Sequence, residues 1–410
     1  MIGGVTPRFA VPECVPRTRD ERTEAACRTI TQVLRNDLRF PGLFQFVSDS
    51  LLTAIPPLDP AAPNFEDWQG IGARILVVTR AGLAGDELTV EARVYFVDSG
   101  QTMLARRYSG RPDNPRIFAH QASDDIMTLT QYQGVARTRI AFASDRDSTA
   151  ERQSKELYIV DYDGFNPRRV TVNGSLNILP TWSPDGTSLG YVSYRRGTPL
   201  IFLARIFEGQ SVPNVTGERE DTQAFAPAFS PDGEKIAFAS NRSGNMDIWV
   251  ANADGSEPRR ITNTRAAETA PCWSPTGQEI AFTSNRTGTP QLWVMSAEGL
   301  NVRRLTTVGN YNDGCAWSPA RQYGEIAYTA RLESGGFDIA VIDLAPRQVR
   351  QITRAHGSCE YPSWAPNGRH LVFSCERNGT WEITISDREG RSIQRLAAGA
   401  GNNVQPDWGP

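Results

Sequence analysis

The sequence predicts two domains, a small N-terminal α/β domain followed by an all-β six-bladed β-propeller closed by the C-terminal strand. Three observations carry this expectation. An aromatic residue that ends a short opening strand recurs at Trp182, Phe229, Trp273, Trp317, Trp364 and Trp408, at intervals of 47, 44, 44, 47 and 44 residues. That period belongs to four-stranded propeller blades. The second observation is the turn SPDG after the aromatic, with Pro at its second position and Gly at its end, as in Ser230 to Gly233. The third is a mismatch of ends: residues 139–171 hold the second, third and fourth strands of a unit without the first, whereas the closing stretch NNVQPDWGP is a first strand without its followers.

Taken in chain order, residues 1–132 lack the repeat and form the α/β domain. In DERTEAACRTITQVLRNDLRF, Ala26, Ile30, Val33, Leu34 and Leu38 fall at helical spacing behind Asp20, a natural N-cap. A shorter helix is expected around Phe65, Trp68 and Ile71. RILVVTRAG, LTVEARVYFVDSG and TMLARRYSG then read as three antiparallel strands, and NPRIFAHQASDDIMTLTQY as a last helix. Residues 133–139, QGVARTR, are the expected linker.

Residues 140–410 are the expected propeller. The copies APAFSPDGEKIAFASNRSGNMDIWVANADGSEPRRIT and APCWSPTGQEIAFTSNRTGTPQLWVMSAEGLNVRRLT align almost without gaps. Strands such as IAFAS and DIWVA are apolar at successive positions, which requires burial on both faces, as between neighbouring blades. Asp163-Gly164 and Asp254-Gly255 supply a second reversal within a unit. If Asn402 to Pro410 provide the inner strand of the first blade, the ring closes by hydrogen bonds between its two ends and leaves no open sheet edge.

Composition narrows the function classes. The net charge is -3, and the basic residues are arginine except for Lys155 and Lys235. There is thus no general electrostatic drive toward nucleic acid or anionic lipid. No apolar run reaches the ~18 residues of a membrane span, and no leader pattern precedes MIGGVTPRFAVPEC. Neither a GxSxG elbow nor a GxxxxGK[ST] loop occurs. Three histidines, His120, His356 and His370, are too few for a metal-dependent lyase built on a propeller, and His120 lies in the other domain. No cofactor or metal is expected. Asp161 and Asp163 read as turn residues, since no glutamate follows at calcium-loop spacing.

The six cysteines show no CxxC spacing. Cys14 and Cys27 straddle the start of the first helix, and Cys359 and Cys375 flank the hairpin turn APNGR; these two pairs are favoured as disulfides. Cys272 and Cys315, on adjacent inner strands, are expected to be buried thiols.

The blade faces of a propeller are consumed by packing, so partners meet its ends, where the segments leading into the inner strands crowd around the channel mouth. Those segments hold Asn177 and Ile178; Thr222, Gln223, Ala224 and Phe225; Glu268 and Thr269; Asn312 and Asp313; Glu360 and Tyr361; Asn403 and Gln405. They are the expected partner-binding set, with Phe225 a candidate aromatic anchor.

Over nearly its whole length the chain resembles the TolB family, the periplasmic component of the Tol-Pal envelope system. The resemblance rests on the order of the two domains, on the SPDG, IAF and RRIT or RRLT elements, on NDLRFPGLFQFVS (residues 36–48), and on TRIAF where the propeller begins. It implies a non-enzymatic, monomeric periplasmic adaptor that binds the lipoprotein Pal at the propeller mouth and meets the membrane only through its partners. It further implies a role in outer-membrane integrity and in constriction at division. The family's Pal-facing positions carry over onto Gln223, where family members often have His, and Thr269. The resemblance also implies binding to TolA through a strand-forming N-terminal extension. Only MIGGVTPRFAV is available to match that extension, so no residue is assigned to it.

Overall fold

The first helix starts where its cap places it. In the computed structural model, which describes residues 7–208, 210–212, 222–332, 335–354 and 357–410, α1 spans Glu21–Arg39, and the Asp20 carboxylate accepts from Thr23 N at 2.9 Å. His356 lies outside the described residues.

The chain divides into the units Met1–Arg137 and Thr138–Pro410. The first contains β1 (Arg8–Ala10), β2 (Val15–Pro16), α1, β3 (Gln45–Phe46), α2 (Asp49–Thr53), α3 (Phe65–Gly70), β4 (Ile75–Ala84), β5 (Glu87–Phe96), β6 (Gln101–Gly110) and α4 (Arg116–Met127). Its sheet runs β3-β1-β4-β5-β6. The three expected antiparallel strands are β4, β5 and β6, but the sheet is mixed, because β1 pairs parallel with both β3 and β4, and β2 pairs parallel with β4. Alternation along β4 covers both faces. Ile75 and Val77 pack with Ile30, Leu34 and Leu38 of α1 and Phe118 and Ile126 of α4, while Leu76 and Val78 pack with Trp68 of α3. His120 of α4 meets Asp37 of α1 through a buried 2.8 Å contact.

The expected linker is not a free tether over its first part. Asp124 of α4 accepts from Ala136 N at 2.9 Å and from Arg137 Nε at 3.0 Å, which docks residues 136 and 137 on the first unit. Arg139 already belongs to a propeller strand.

The second unit consists of six four-stranded sheets. Blade 1 combines Asn403–Gly409 with Arg139–Ser144, Glu156–Asp161 and Arg168–Arg169, so the last strand of the chain is the inner strand of the first blade. The inner strands of blades 2 to 6 are Asn177–Trp182, Ala224–Phe229, Glu268–Trp273, Tyr311–Trp317 and Cys359–Trp364. The non-alternating strands are buried on both faces, as their pattern requires: every residue from Ile236 to Ser240 is at 0 % exposure.

The RRIT and RRLT endings have a structural reason. The threonine closes four of the blades: Thr171, Thr262, Thr306 and Thr353 accept from the first apolar residue of the third strand, Leu157, Ile248, Leu292 and Ile339, at 2.8 to 2.9 Å. The second arginine meets a fully buried acid in two blades, Arg169 with Glu156 and Arg260 with Asp247, at 3.1 and 2.6 Å. A buried carboxylate left without such a partner would be strongly destabilising.

All six cysteines are paired. Cys14 bonds Cys27, and Cys359 bonds the residue directly opposite it, Cys375. The expectation of buried thiols at Cys272 and Cys315 is corrected: they form a third disulfide, with Cα atoms 5.9 Å apart, between the inner strands of blades 4 and 5. In sequence these residues lie 43 positions apart, and only the radius of the ring brings them together.

Candidate interaction site at the propeller mouth

Every inner strand carries the same irregularity. Its pairing with the second strand slips after two residues, three in blade 5, at Ile178/Thr181, Phe225/Ala228, Thr269/Cys272, Asp313/Ala316, Glu360/Ser363 and Val404/Asp407. The third residue of each strand, the fourth in the longer strand of blade 5, is left-handed: Leu179 (φ 51), Ala226 (49), Ala270 (46), Gly314 (64), Tyr361 (59) and Gln405 (55). Five of these six carry a side chain, an uncommon choice at positive φ that persists where surrounding structure enforces it. Together they line a central cavity of about 810 Å³ with the residues that follow them.

The bulge sorts the expected partner-binding residues into two groups. Asn177, Ala224, Glu268 and Asn312 are at 0 % exposure, Thr222 at 2 % and Asn403 at 3 %. Four polar members among them are committed to contacts within their own blade or, for Asn312, with the neighbouring blade. Asn177 accepts from Ser193 Oγ at 2.8 Å, and Asn312 donates to Gln291 Oε1 at 3.0 Å. Glu268 takes both carboxylate oxygens to Arg286 at 2.9 Å, and Asn403 accepts from Arg146 Nη2, also at 2.9 Å.

The second group is open to solvent. Gln223 and Tyr361 are exposed, and Ile178, Phe225, Thr269, Asp313, Glu360 and Gln405 are half-buried. Phe225, Thr269, Asp313, Tyr361 and Gln405 reach the cavity wall, and Phe225 also packs on the core between blades 2 and 3. The sequence reading missed Leu179, Ala226 and Ala270. The signal was present: each immediately precedes a proline two residues before the aromatic.

The mouth is acidic on one side. Burial pushes the Glu360 carboxyl above the usual range, and the carboxylates of Asp313 and Glu376 push it in the same direction. Asp313 accepts from Tyr311 Oη at 3.1 Å and from Gly314 N at 2.8 Å. Burial and then the Asp313 charge raise the Tyr311 hydroxyl.

Deeper in the channel, Asp407 joins three blades. Its Oδ2 accepts from Trp182 N of blade 2 and its Oδ1 from Ser363 Oγ of blade 6, both at 2.7 Å. Burial raises its pKa above that of an ordinary aspartate, and these hydrogen bonds oppose the shift. Gln405 repeats the arrangement nearer the mouth, accepting from Leu179 N at 3.1 Å and donating its own N–H to Ser374 Oγ at 3.2 Å.

The family described as the TolB beta propeller domain matches residues 126–410, and the TolB amino-terminal domain matches residues 6–103. The chain belongs to the TolB family. The chain resembles the crystal structure of TolB from Acinetobacter baumannii with a TM-score of 0.81 at 25 % identity, covering 99 % of this chain and 97 % of that one. Among curated relatives, the Tol-Pal system protein TolB of Roseobacter denitrificans is 36 % identical over 265 residues, 64 % of this chain and 58 % of its own. That of Desulfosudis oleivorans is 30 % identical over 260 residues, 62 % of this chain and 57 % of its own. The matched stretch therefore spans somewhat more than half the length of these TolB relatives. Among the described residues, no helix is long and apolar enough to cross a membrane.

Proposed function

We propose that this chain is a non-catalytic periplasmic adaptor of a Tol-Pal envelope system, and that its propeller mouth binds the lipoprotein Pal. The observation that carries the reading is the arc of solvent-open residues on five inner strands, Phe225, Thr269, Asp313, Glu360, Tyr361 and Gln405, around a channel whose deeper side chains are committed to joining blades. Such an arc offers an aromatic centre with polar neighbours, the composition of a protein contact. TolA is the proposed second partner, through the N-terminal extension known in the family. Support for outer-membrane integrity and for constriction at division follows from linking those two partners.

The test replaces only open residues. Thr269→Arg combined with Tyr361→Ala should reduce capture of a purified Pal domain at least tenfold in a pull-down and by calorimetry, with the melting temperature unchanged. Undiminished capture would rule out this mouth.

A further inference from the structure

Five inner strands place a proline directly after the left-handed residue: Pro180, Pro227, Pro271, Pro362 and Pro406. A proline fixes its own φ, so each of these bulges has one backbone torsion set by its own chain. Blade 5 departs at both positions. Gly314 takes the left-handed place, and Cys315 stands where proline stands elsewhere. Glycine has the widest backbone freedom, so this one stretch of channel wall lacks the local constraint of the other five.

The constraint comes instead from the neighbouring blade. Cys315 is bonded to Cys272, and its Sγ lies 3.4 Å from the carbonyl oxygens of Ala270 and Ala281 in blade 4. A second departure falls on the same seam. In blades 6 and 1 the N–H of the left-handed residue donates to a hydroxyl of the preceding blade, Tyr361 to Thr329 at 3.1 Å and Gln405 to Ser374 at 3.2 Å. The matching hydroxyl for blade 5 is Thr283, which is 4 % exposed and has no hydrogen-bond partner among the described residues. The N–H it would take, that of Gly314, goes to Asp313.

We propose that the Cys272–Cys315 disulfide is a redox-controlled latch that substitutes for the missing proline and fixes the channel wall of blade 5. Both cysteines line the cavity, so a small dithiol reaches them from the channel. In the reduction, a thiolate of the dithiol attacks one sulfur and forms a mixed disulfide. Its second thiol then displaces the protein, and the reductant leaves as a disulfide. Cys272 and Cys315 gain two electrons and two protons as thiols. Opening the latch frees Gly314 and with it Asp313 at the mouth. The effect on partner binding rests on the function proposed above; the effect on the wall does not.

Hydrogen exchange on the full chain tests the latch without a partner. Cys272→Ser with Cys315→Ser leaves the other two disulfides intact and should speed exchange at Gly314 and Ala316 at least tenfold, with Ala226 and Ala228 unchanged. Cys272→Ala with Cys315→Pro reproduces the Pro227-Ala228 arrangement of blade 3 and should restore slow exchange that dithiothreitol no longer affects. Equal exchange in the serine variant and the oxidised chain would overturn the proposal, as would failure of the proline variant to restore protection. Should the serine variant not fold, dithiothreitol titration of the unmodified chain, with the reduced pair identified by mass spectrometry, gives the same readout. A Pal domain that ignores even the oxidised chain would refute the proposed function, while exchange at Gly314 still decides the latch.

Discussion

Two seams of the same ring are fastened by opposite means. Where the C-terminal strand enters blade 1, the join is non-covalent: Asp407, Gln405 and Trp408 bond to blades 2 and 6 through side chains and backbone groups. Between blades 4 and 5 a covalent bond, Cys272–Cys315, is added to the Asn312–Gln291 hydrogen bond, with Gly314 beside it. Cys272 and Asp407 occupy the same place in their inner strands, opposite Ala281 and Ala141. One position can therefore close a seam with a buried carboxylate or with sulfur. The difference teaches that a repeat fold does not distribute its fastenings evenly: the first seam rests on a titratable carboxyl, the second on a reducible bond.

Removing the first seam should have the largest effect. Deletion of residues 402–410 takes away the inner strand of blade 1 together with every contact it makes to blades 2 and 6. The propeller should lose its cooperative unfolding transition in calorimetry, and a truncated chain that melts normally would break the comparison at its root. Removing the second seam is expected to cost less. Cys272→Ala with Cys315→Ala should lower stability by about 2–4 kcal/mol, the typical contribution of one native disulfide, read from urea unfolding. The ring should still close and still melt in one step.

The smallest effects come from single atoms of Asp407. Asp407→Ala leaves the Trp182 N–H without its acceptor and should cost about 1–3 kcal/mol. Asp407→Asn keeps the shape and changes the pH response. Burial raises the folded value of this carboxyl above the 3.8 of an ordinary aspartate. Between 3.8 and the raised value the native state therefore holds more protons than the unfolded one, and stability falls as pH rises through that window. Its contribution is complete below 3.8 and lost above the folded value. Melting temperatures followed from roughly pH 4 to 7 should show a shallower fall for Asp407→Asn than for the unmodified chain. Identical slopes would remove the pH half of the comparison.

The ring was legible in the sequence because its signals are local and repeated. The aromatic spacing, the SPDG turns and the orphan first strand need no knowledge of distant contacts, and the Asp20 cap located α1 in the same way. Elements lost to the reading were too short or too remote. β1 and β3 are three and two residues long and acquire their meaning from parallel pairing with segments far along the chain. At the mouth, the reading found the right strands but mixed two phases. Asn177, Glu268 and Asn312 stand at or next to the start of their strands with side chains turned into the blade, and one step further the chain faces the channel. In a strand, an error of one residue exchanges the two faces. Cys359–Cys375 was visible because the hairpin between them fixes their register. Cys272–Cys315 was not, since no local pattern records how closely two blades approach at the axis.

The inner-strand aromatics also make the ring its own optical instrument. Five blades carry an indole at the same place, Trp182, Trp273, Trp317, Trp364 and Trp408, and blade 3 carries Phe229, which is dark at tryptophan excitation. Three indoles are pinned across seams or to the start of the ring: Trp273 donates to Ala228 O at 3.1 Å, Trp364 to Ala316 O at 3.0 Å and Trp408 to Thr138 Oγ1 at 2.7 Å. Trp408 thus reports on the closing strand, and Trp273 and Trp317 flank the latch. Retaining one of these fluorophores at a time would turn the opening of each seam into a separate emission signal, so that the order in which the ring comes apart could be read blade by blade.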